Sequence, residues 1–150
     1  MNVRAIAHSD VLRWYQMRRI YWPDSTENKL QQEMTAIFEN AKYNQVYVCE
    51  IETHDIVAFI EISFRQRMRG CAVSPVAYIE GLYVEPNYRM QGIAKALVTE
   101  AENWAKRCGC KEIALDVSLE NATNRLFQDK LGFVEADRII TYKKKLADKK

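Results

Sequence analysis

The apolar positions of this chain change period as the sequence is followed. Val11, Leu12, Tyr15 and Ile20 recur near helical spacing, and Ser9 or Asp10 can cap a first helix that runs to about Tyr21. Trp22-Pro23-Asp24 breaks it. Ser25 or Thr26 opens a second helix, with Leu30, Met34, Ile37 and Phe38 on one face. Val46–Ile51 and Ile56–Phe64 are apolar runs joined by Thr53-His54-Asp55, which reads as a β-hairpin. Residues 65–75 are basic and polar, end at Ser74-Pro75, and read as a surface loop. Ala77–Val84 is a further strand. Beyond Glu85-Pro86-Asn87 the period becomes helical again, through Ile93, Ala96, Leu97, Ala101, Trp104, Ala105 and Cys108. A strand at about Glu112–Val117, a helix at about Asn121–Lys130, the turn Leu131-Gly132-Phe133 and an edge strand at about Arg138–Lys144 follow.

The expected order is therefore helix, helix, three strands, helix, strand, helix, strand. An opening hairpin does not suit pure α/β winding, so a mixed α+β fold is expected, with a mostly antiparallel sheet flanked by helices. At 150 residues, with no repeat or linker, the chain reads as a single domain over 1–150, large enough for a real core. No apolar run approaches the roughly 20 residues of a membrane span. Arg4, Asp10, Arg13, Arg18 and Arg19 interrupt the N-terminal stretch, so a signal peptide is not expected and the cytoplasm is the expected location.

Charge changes the picture little. The net charge is +2, but residues 143–150 hold five lysines against one aspartate, which leaves the other 142 residues at −2. A lysine-rich end without interleaved aromatic residues reads as a solvated tail, so nucleic acid is not an expected partner. Cys108-Gly-Cys110 is too tight for a zinc knuckle. With Cys49 and Cys71 it reads as free thiol, His8 and His54 read as isolated solvent-exposed residues, and no metal is expected.

The chemistry concentrates where the strand ending at Val84 turns into the third helix. Arg89-Met90-Gln91-Gly92-Ile93-Ala94 places a basic residue and a small-residue pair at a helix start. The first turn of a helix has unpaired N–H groups and the positive end of the macrodipole, Gly92 allows close backbone approach, and Ala94 keeps the surface small. Such a place suits a pyrophosphate. The triphosphate loop is excluded because no Gly-Lys-Ser/Thr is present, and the dinucleotide fingerprint because its further glycines are missing.

The form Arg-x-x-Gly-x-Ala resembles the acetyl-coenzyme A loop of the GCN5-related N-acetyltransferase (GNAT) superfamily, and the element order resembles the acyl-CoA N-acyltransferase fold over nearly the whole chain. The resemblance implies that acetyl-CoA lies along Leu82, Tyr83 and Val84, with its pyrophosphate on the amides of Gln91 to Ala94. The N–H groups near Leu82 and Val84 would then polarise the thioester carbonyl. It also implies that Asn121 bonds the pantetheine arm. Gln128 stands where the family often has the tyrosine that protonates the leaving thiolate. An amide is no practical acid, so water or the product ammonium would supply that proton.

Three blocks resemble the aminoglycoside 6′-N-acetyltransferases more narrowly: Trp22-Pro23-Asp24, Ser74-Pro75-Val76-Ala77-Tyr78-Ile79-Glu80-Gly81, and Gly132-Phe133-Val134-Glu135. That resemblance implies a polycationic acceptor of the kanamycin and tobramycin class, antibiotic resistance, and a homodimer with the last strands at its interface. Glu80, Asp116 and Glu135 would line the acceptor pocket, Glu135 serving the neighbour's site. Glu80 and Asp116 would orient the amine, Glu80 taking its proton in a direct, ternary-complex transfer, and Trp22 would form an apolar wall under a sugar ring. From the residues alone, Glu80 also reads as an outward-facing strand residue, while Asp116 reads equally as a loop cap and Trp22 equally as a core residue. Other acceptors fit the same loop: a polyamine, a protein N-terminus, or none in an acyl-CoA-binding sensor.

Overall fold

A computed structural model describes residues 1–72 and 75–148 of the chain. Ser74 of the second block, and Lys149 and Lys150 of the tail, lie outside the described residues. Five strands form one sheet in the order β1 (Asn2–Ala5), β2 (Asn44–Glu50), β3 (Ile56–Arg65), β4 (Val76–Val84) and β5 (Glu112–Ala114). The first four pair antiparallel and β5 joins β4 in parallel. The helices are α1 (Val11–Tyr21), α2 (Glu27–Glu39), α3 (Ile93–Arg107) and α4 (Ala122–Lys130). None among the described residues is long and apolar enough to cross a membrane.

Strand alternation divides the core in two. On one face Tyr47, Cys49, Ala58, Ile60, Ile62, Ala77 and Ile79 pack under α3, which contributes Ile93, Leu97, Val98, Ala101, Trp104 and Ala105. On the other, Val46, Val48, Phe59 and Tyr83 pack under α1 and α2, which contribute Trp14, Met17 and Met34. Thr26 caps α2 by accepting from the Lys29 N–H at 3.2 Å. The four cysteines are free, and burial raises the pKa of each thiol.

Several elements differ from the sequence reading. β1 was not expected, because Asn-Val-Arg-Ala has too few apolar residues to signal a strand. It forms because β2 offers it an edge, with Arg4 tied to Glu50 at 2.6 Å and to Asp10 at 2.8 Å. Asp10 does not cap α1. Its carboxylate accepts from Ala7 N–H at 2.8 Å, and the Arg4 hydrogen bond holds it below the usual carboxylate range. The inward stripe of α1 is Trp14, Met17 and Arg18, whereas Leu12 and Ile20 are exposed. Arg18 can lie inside because Glu61 of β3 meets it at 2.7 and 3.1 Å and Trp14 Nε1 donates to the same carboxylate at 3.0 Å. Burial pushes the Glu61 carboxyl up, and the Arg18 and Trp14 hydrogen bonds oppose that shift.

The expected strand at Arg138–Lys144 is not formed. Residues 133–148 have no regular structure, and Val134, Ile139, Ile140, Tyr142 and Leu146 are exposed. A strand needs a partner edge, and β5, at three residues, offers little of one. The segment lies instead near the β3–β4 loop, where a Cβ on Gly70 would stand 2.8 Å from Ala136 Cβ.

Candidate active site

Two strands part company in the middle of the sheet. Among the described residues, β5 pairs with β4 only from Val76↔Glu112 to Tyr78↔Ala114, which leaves β4 from Ile79 to Val84 with an open edge. The alternation of antiparallel pairing decides which groups face it. Glu85 N–H donates to Val57 C=O at 2.9 Å, making that pair hydrogen-bonded; the next pair, Val84↔Ala58, must then turn its polar groups away from β3. Leu82 does the same two residues back. The N–H groups of Leu82 and Val84 therefore point into the open edge, while the Tyr83 and Val84 side chains are buried in the core. The Val84 carbonyl, on the same edge, accepts Arg89 Nε at 2.8 Å. Arg89 thus folds back on the strand, its guanidinium 5.9 Å from the centre of the Tyr83 ring.

The loop that follows the edge is shaped for backbone donation. Met90 and Gly92 both adopt positive φ, 64° and 82°. Met90 is fully exposed, and Ile93 is buried, so its N–H rather than its side chain is available to a ligand. Gly92 is the N-cap of α3 with no side-chain cap, and a Cβ there would meet nothing within 4 Å. The space in front of the helix is open, so the glycine is required by its backbone angle and not by crowding. Among the described residues, no backbone acceptor takes the N–H of Met90, Gln91 or Gly92. Ala94 lies in the first turn, half-buried against the α3-side core.

A polar cluster lies beside the same edge, on the face that carries α1 and α2. The pairing register skips one residue of β4: Glu61 faces Gly81 and Ile62 faces Ile79, so Glu80 is the extra residue of a β-bulge. A bulge re-aims its side chain. Glu80 is partly exposed and accepts from Ser63 Oγ at 2.7 Å and from Arg65 Nη2 at 2.9 Å. Ser63 pairs with Tyr78, so Glu80 is its diagonal neighbour on the sheet. Tyr78 donates its hydroxyl to Asp116 at 2.9 Å, and the Arg65 guanidinium lies 3.8 Å from the centre of its ring. Burial first, and the Asp116 hydrogen bond second, push Tyr78 up to about 12, so it stays protonated at neutral pH. Asp116 is no loop cap: it lies past the end of β5 and holds Tyr78.

Trp22 completes one wall. It follows α1, and its ring sits so close to Gly81 that a Cβ there would lie 2.8 Å from it. Arg18 lies 4.8 Å from the Trp22 ring centre, and Phe59 packs behind. Trp22 is thus partly a core residue and partly a surface next to Glu80.

Other expected site residues are placed differently. Asn121 caps α4, its Oδ1 accepting from Asn124 N–H at 3.0 Å, which leaves its amide nitrogen for other contacts. Gln128 is buried and donates to Asn124 Oδ1 at 3.0 Å, while its own Oε1 has no partner among the described residues. Glu135 is exposed and paired with Arg138, and no described contact joins it to Glu80, Asp116 or Trp22. Sequence reasoning missed Ser63, Arg65 and Tyr78. The available signal was period two on β3, where Ser63 and Arg65 share a face. A separate groove of about 640 Å³ between α1 and α2, lined by Val11, Leu12, Tyr15, Met34 and Phe38, contains none of these groups.

The chain resembles known proteins over most of its length. The model of the acetyltransferase (GNAT) family matches residues 14–133. An aminoglycoside N(6′)-acetyltransferase type 1 of Acinetobacter genomosp. 13 is 37% identical over 145 residues, 96% of this chain and 98% of that protein. The apo crystal structure of aminoglycoside antibiotic 6′-N-acetyltransferase AAC(6′)-IG from Acinetobacter haemolyticus is similar with a TM-score of 0.89 at 31% identity, covering 98% of this chain and all of that one. AAC(6′)-Iy in complex with the bisubstrate analogue CoA-S-monomethyl-acetylneamine gives a TM-score of 0.90 at 28% identity, covering 97% and 98%.

Proposed function

Because the chain belongs to the acetyltransferase (GNAT) family, we propose that it is an aminoglycoside 6′-N-acetyltransferase. It transfers acetyl from acetyl-CoA to the 6′-amine of antibiotics of the kanamycin and tobramycin class, and so confers resistance. The observation that carries this reading is the open edge of β4, with N–H groups that no described strand pairs on one side and the acids Glu80 and Asp116 beside it, in a chain 37% identical to such an enzyme over 96% of its length.

The residues fit acetyl-CoA. Gln91 to Ala94 would hold the pyrophosphate by backbone N–H groups at the start of α3, where the helix dipole favours negative charge. The pantetheine arm would extend along the open edge toward the Asn121 amide. The N–H groups of Leu82 and Val84 would face the thioester oxygen where it gains charge. The acceptor, a polycation, would be drawn to Glu80 and Asp116 and rest one sugar ring on Trp22. An alkyl ammonium has a pKa near ~10, so Glu80, directly or through water, takes its proton. The amine nitrogen then attacks the carbonyl carbon, a C–N bond forms, the C–S bond breaks, and the thiolate is protonated by water or by the product ammonium. Gln128 would not be that acid, because a carboxamide does not give up a proton at neutral pH and its nitrogen already donates to Asn124.

Incubation with kanamycin and acetyl-CoA is expected to release thiol and give a single product acetylated at the 6′ nitrogen, read by NMR. Acetylation of spermidine but not kanamycin would replace this reading with the polyamine one. The Gln128 observation favours one further alternative, an acyl-CoA-binding sensor, which binding of acetyl-CoA without transfer to any amine would establish.

The chain is further read as one cytoplasmic domain acting as a homodimer, with no nucleic-acid or membrane partner. The exposed Ile139, Ile140 and Tyr142 support self-association, since an extended apolar segment without a partner strand invites pairing with a second copy. Sedimentation equilibrium is expected to give a dimer that Ile139→Asp with Ile140→Asp converts to monomer; a wild-type monomer at high concentration rejects it.

A further inference from the structure

The acids of the proposed acceptor site already hold partners of their own. Asp116 accepts the Tyr78 hydroxyl, and Glu80 has a cation beside it: Arg65, at 2.9 Å. A site built only to attract a polycation would not carry a guanidinium against one of its acids. We infer that Arg65 is an internal counter-cation of Glu80 that competes with an incoming ammonium group for the carboxylate, by holding Oε1 or by repelling a cation that settles on Oε2, and that it thereby sets the strength of cation selection. This rests on the aminoglycoside reading above.

Three features show that the Arg65 contact can yield to a second cation. Both donors, Ser63 and Arg65, bond the same oxygen of Glu80, Oε1, and no described residue occupies Oε2. Ser63 can therefore keep the carboxylate aimed after Arg65 leaves. Arg65 sits on the last residue of β3, its side chain 40% exposed, so a rotation about its flexible stem carries the guanidinium into water. Its second attachment, stacking on the Tyr78 ring at 3.8 Å, is a weak one for a group in contact with solvent. While the acceptor is absent, Arg65 satisfies Glu80. When the amine arrives, the two cations compete for one carboxylate, and like charges at such range repel.

The test is a double-mutant cycle on kanamycin binding to the CoA-saturated protein, read as Kd by calorimetry so that it needs no turnover. Arg65→Met keeps an apolar stem over Tyr78 and removes the charge. It is expected to tighten kanamycin binding about two- to fivefold, the size of a half-exposed ion pair. Arg65→Lys should bind like the wild type. In a Glu80→Gln background, Arg65→Met should have less than half that effect, and raising the salt concentration should shrink it. A purely structural Arg65 would give the opposite sign, weaker binding with Arg65→Met, and that result overturns the inference, as does an unchanged Kd or an equal gain without Glu80. If the wild type neither binds nor acetylates any aminoglycoside, the acceptor reading itself falls, and this inference with it. If the wild type is active and Arg65→Met only weakens binding, the inference alone falls.

Discussion

Glu80→Gln is expected to lower kcat/KM for kanamycin by about 100-fold or more, within the range of a lost general base. The Km for acetyl-CoA and the melting temperature should hardly move. The substitution is nearly isosteric, and the amide oxygen can still accept from Ser63, which now donates to Glu80 Oε1 at 2.7 Å. The bulge that aims the side chain is a property of the backbone register and not of the carboxylate. Under the proposed function, what would disappear is the negative charge facing the ammonium and the site that would accept its proton. Loss of charge raises the KM for kanamycin; loss of the base lowers kcat, and the deficit should shrink as the pH rises and more of the amine is already neutral. Steady-state kinetics across a pH series separate the two. A variant that keeps more than half of wild-type kcat at neutral pH removes Glu80 from the base role and leaves only binding to it.

The second large effect is on stability. Arg18→Met alone, or Glu61→Leu alone, is expected to cost about 3–5 kcal/mol, because the first leaves a buried carboxylate without its guanidinium and the second leaves the guanidinium with only the Leu30 carbonyl at 2.9 Å and Glu33 at 3.7 Å. For a chain of this size that corresponds to a fall in Tm of roughly 6–20 °C. The side chains of Arg18 and Glu61 are only 3% and 4% exposed, and the carboxylate binds Arg18 twice and Trp14 once. The double variant Arg18→Met with Glu61→Leu should be markedly less destabilised than the sum of the singles, since no charge remains to be solvated. Thermal unfolding of the four proteins decides it; additive losses would show that the two residues contribute separately through packing. The pair also reaches the proposed acceptor wall, because Glu61 lies opposite Gly81 and Arg18 stacks under Trp22.

The parts of the molecule legible in the sequence were those set by local pattern. The α3 helix has one continuous apolar stripe, and Gly92 at its start has the left-handed backbone angle that a glycine supplies cheaply. Thr26 caps α2 through a contact three residues long. The hairpin of β2 and β3 shows as two apolar runs around a polar turn. Where the reading failed, the deciding contact was distant. β1 exists only because β2 is next to it, Arg18 is inside only because Glu61 lies 43 residues away, and 138–144 alternates without finding an edge. Glu80 was visible as an acid in an apolar strand. Its bulge, its Ser63 and Arg65 partners and the Tyr78–Asp116 bond were not, because a register shift across the β3–β4 loop leaves no local trace.

The sequence by itself determined the glycine-containing loop that opens α3, the order of most elements and the acids available for chemistry, since each follows from spacing along the chain. Only the tertiary structure decided that β5 leaves β4 after Tyr78, which turns the N–H groups of Leu82 and Val84 into an open edge, and that Arg65 already stands against Glu80. Both depend on which strands meet and in what register, and pairing between segments far apart in sequence is settled by the packing of the whole sheet.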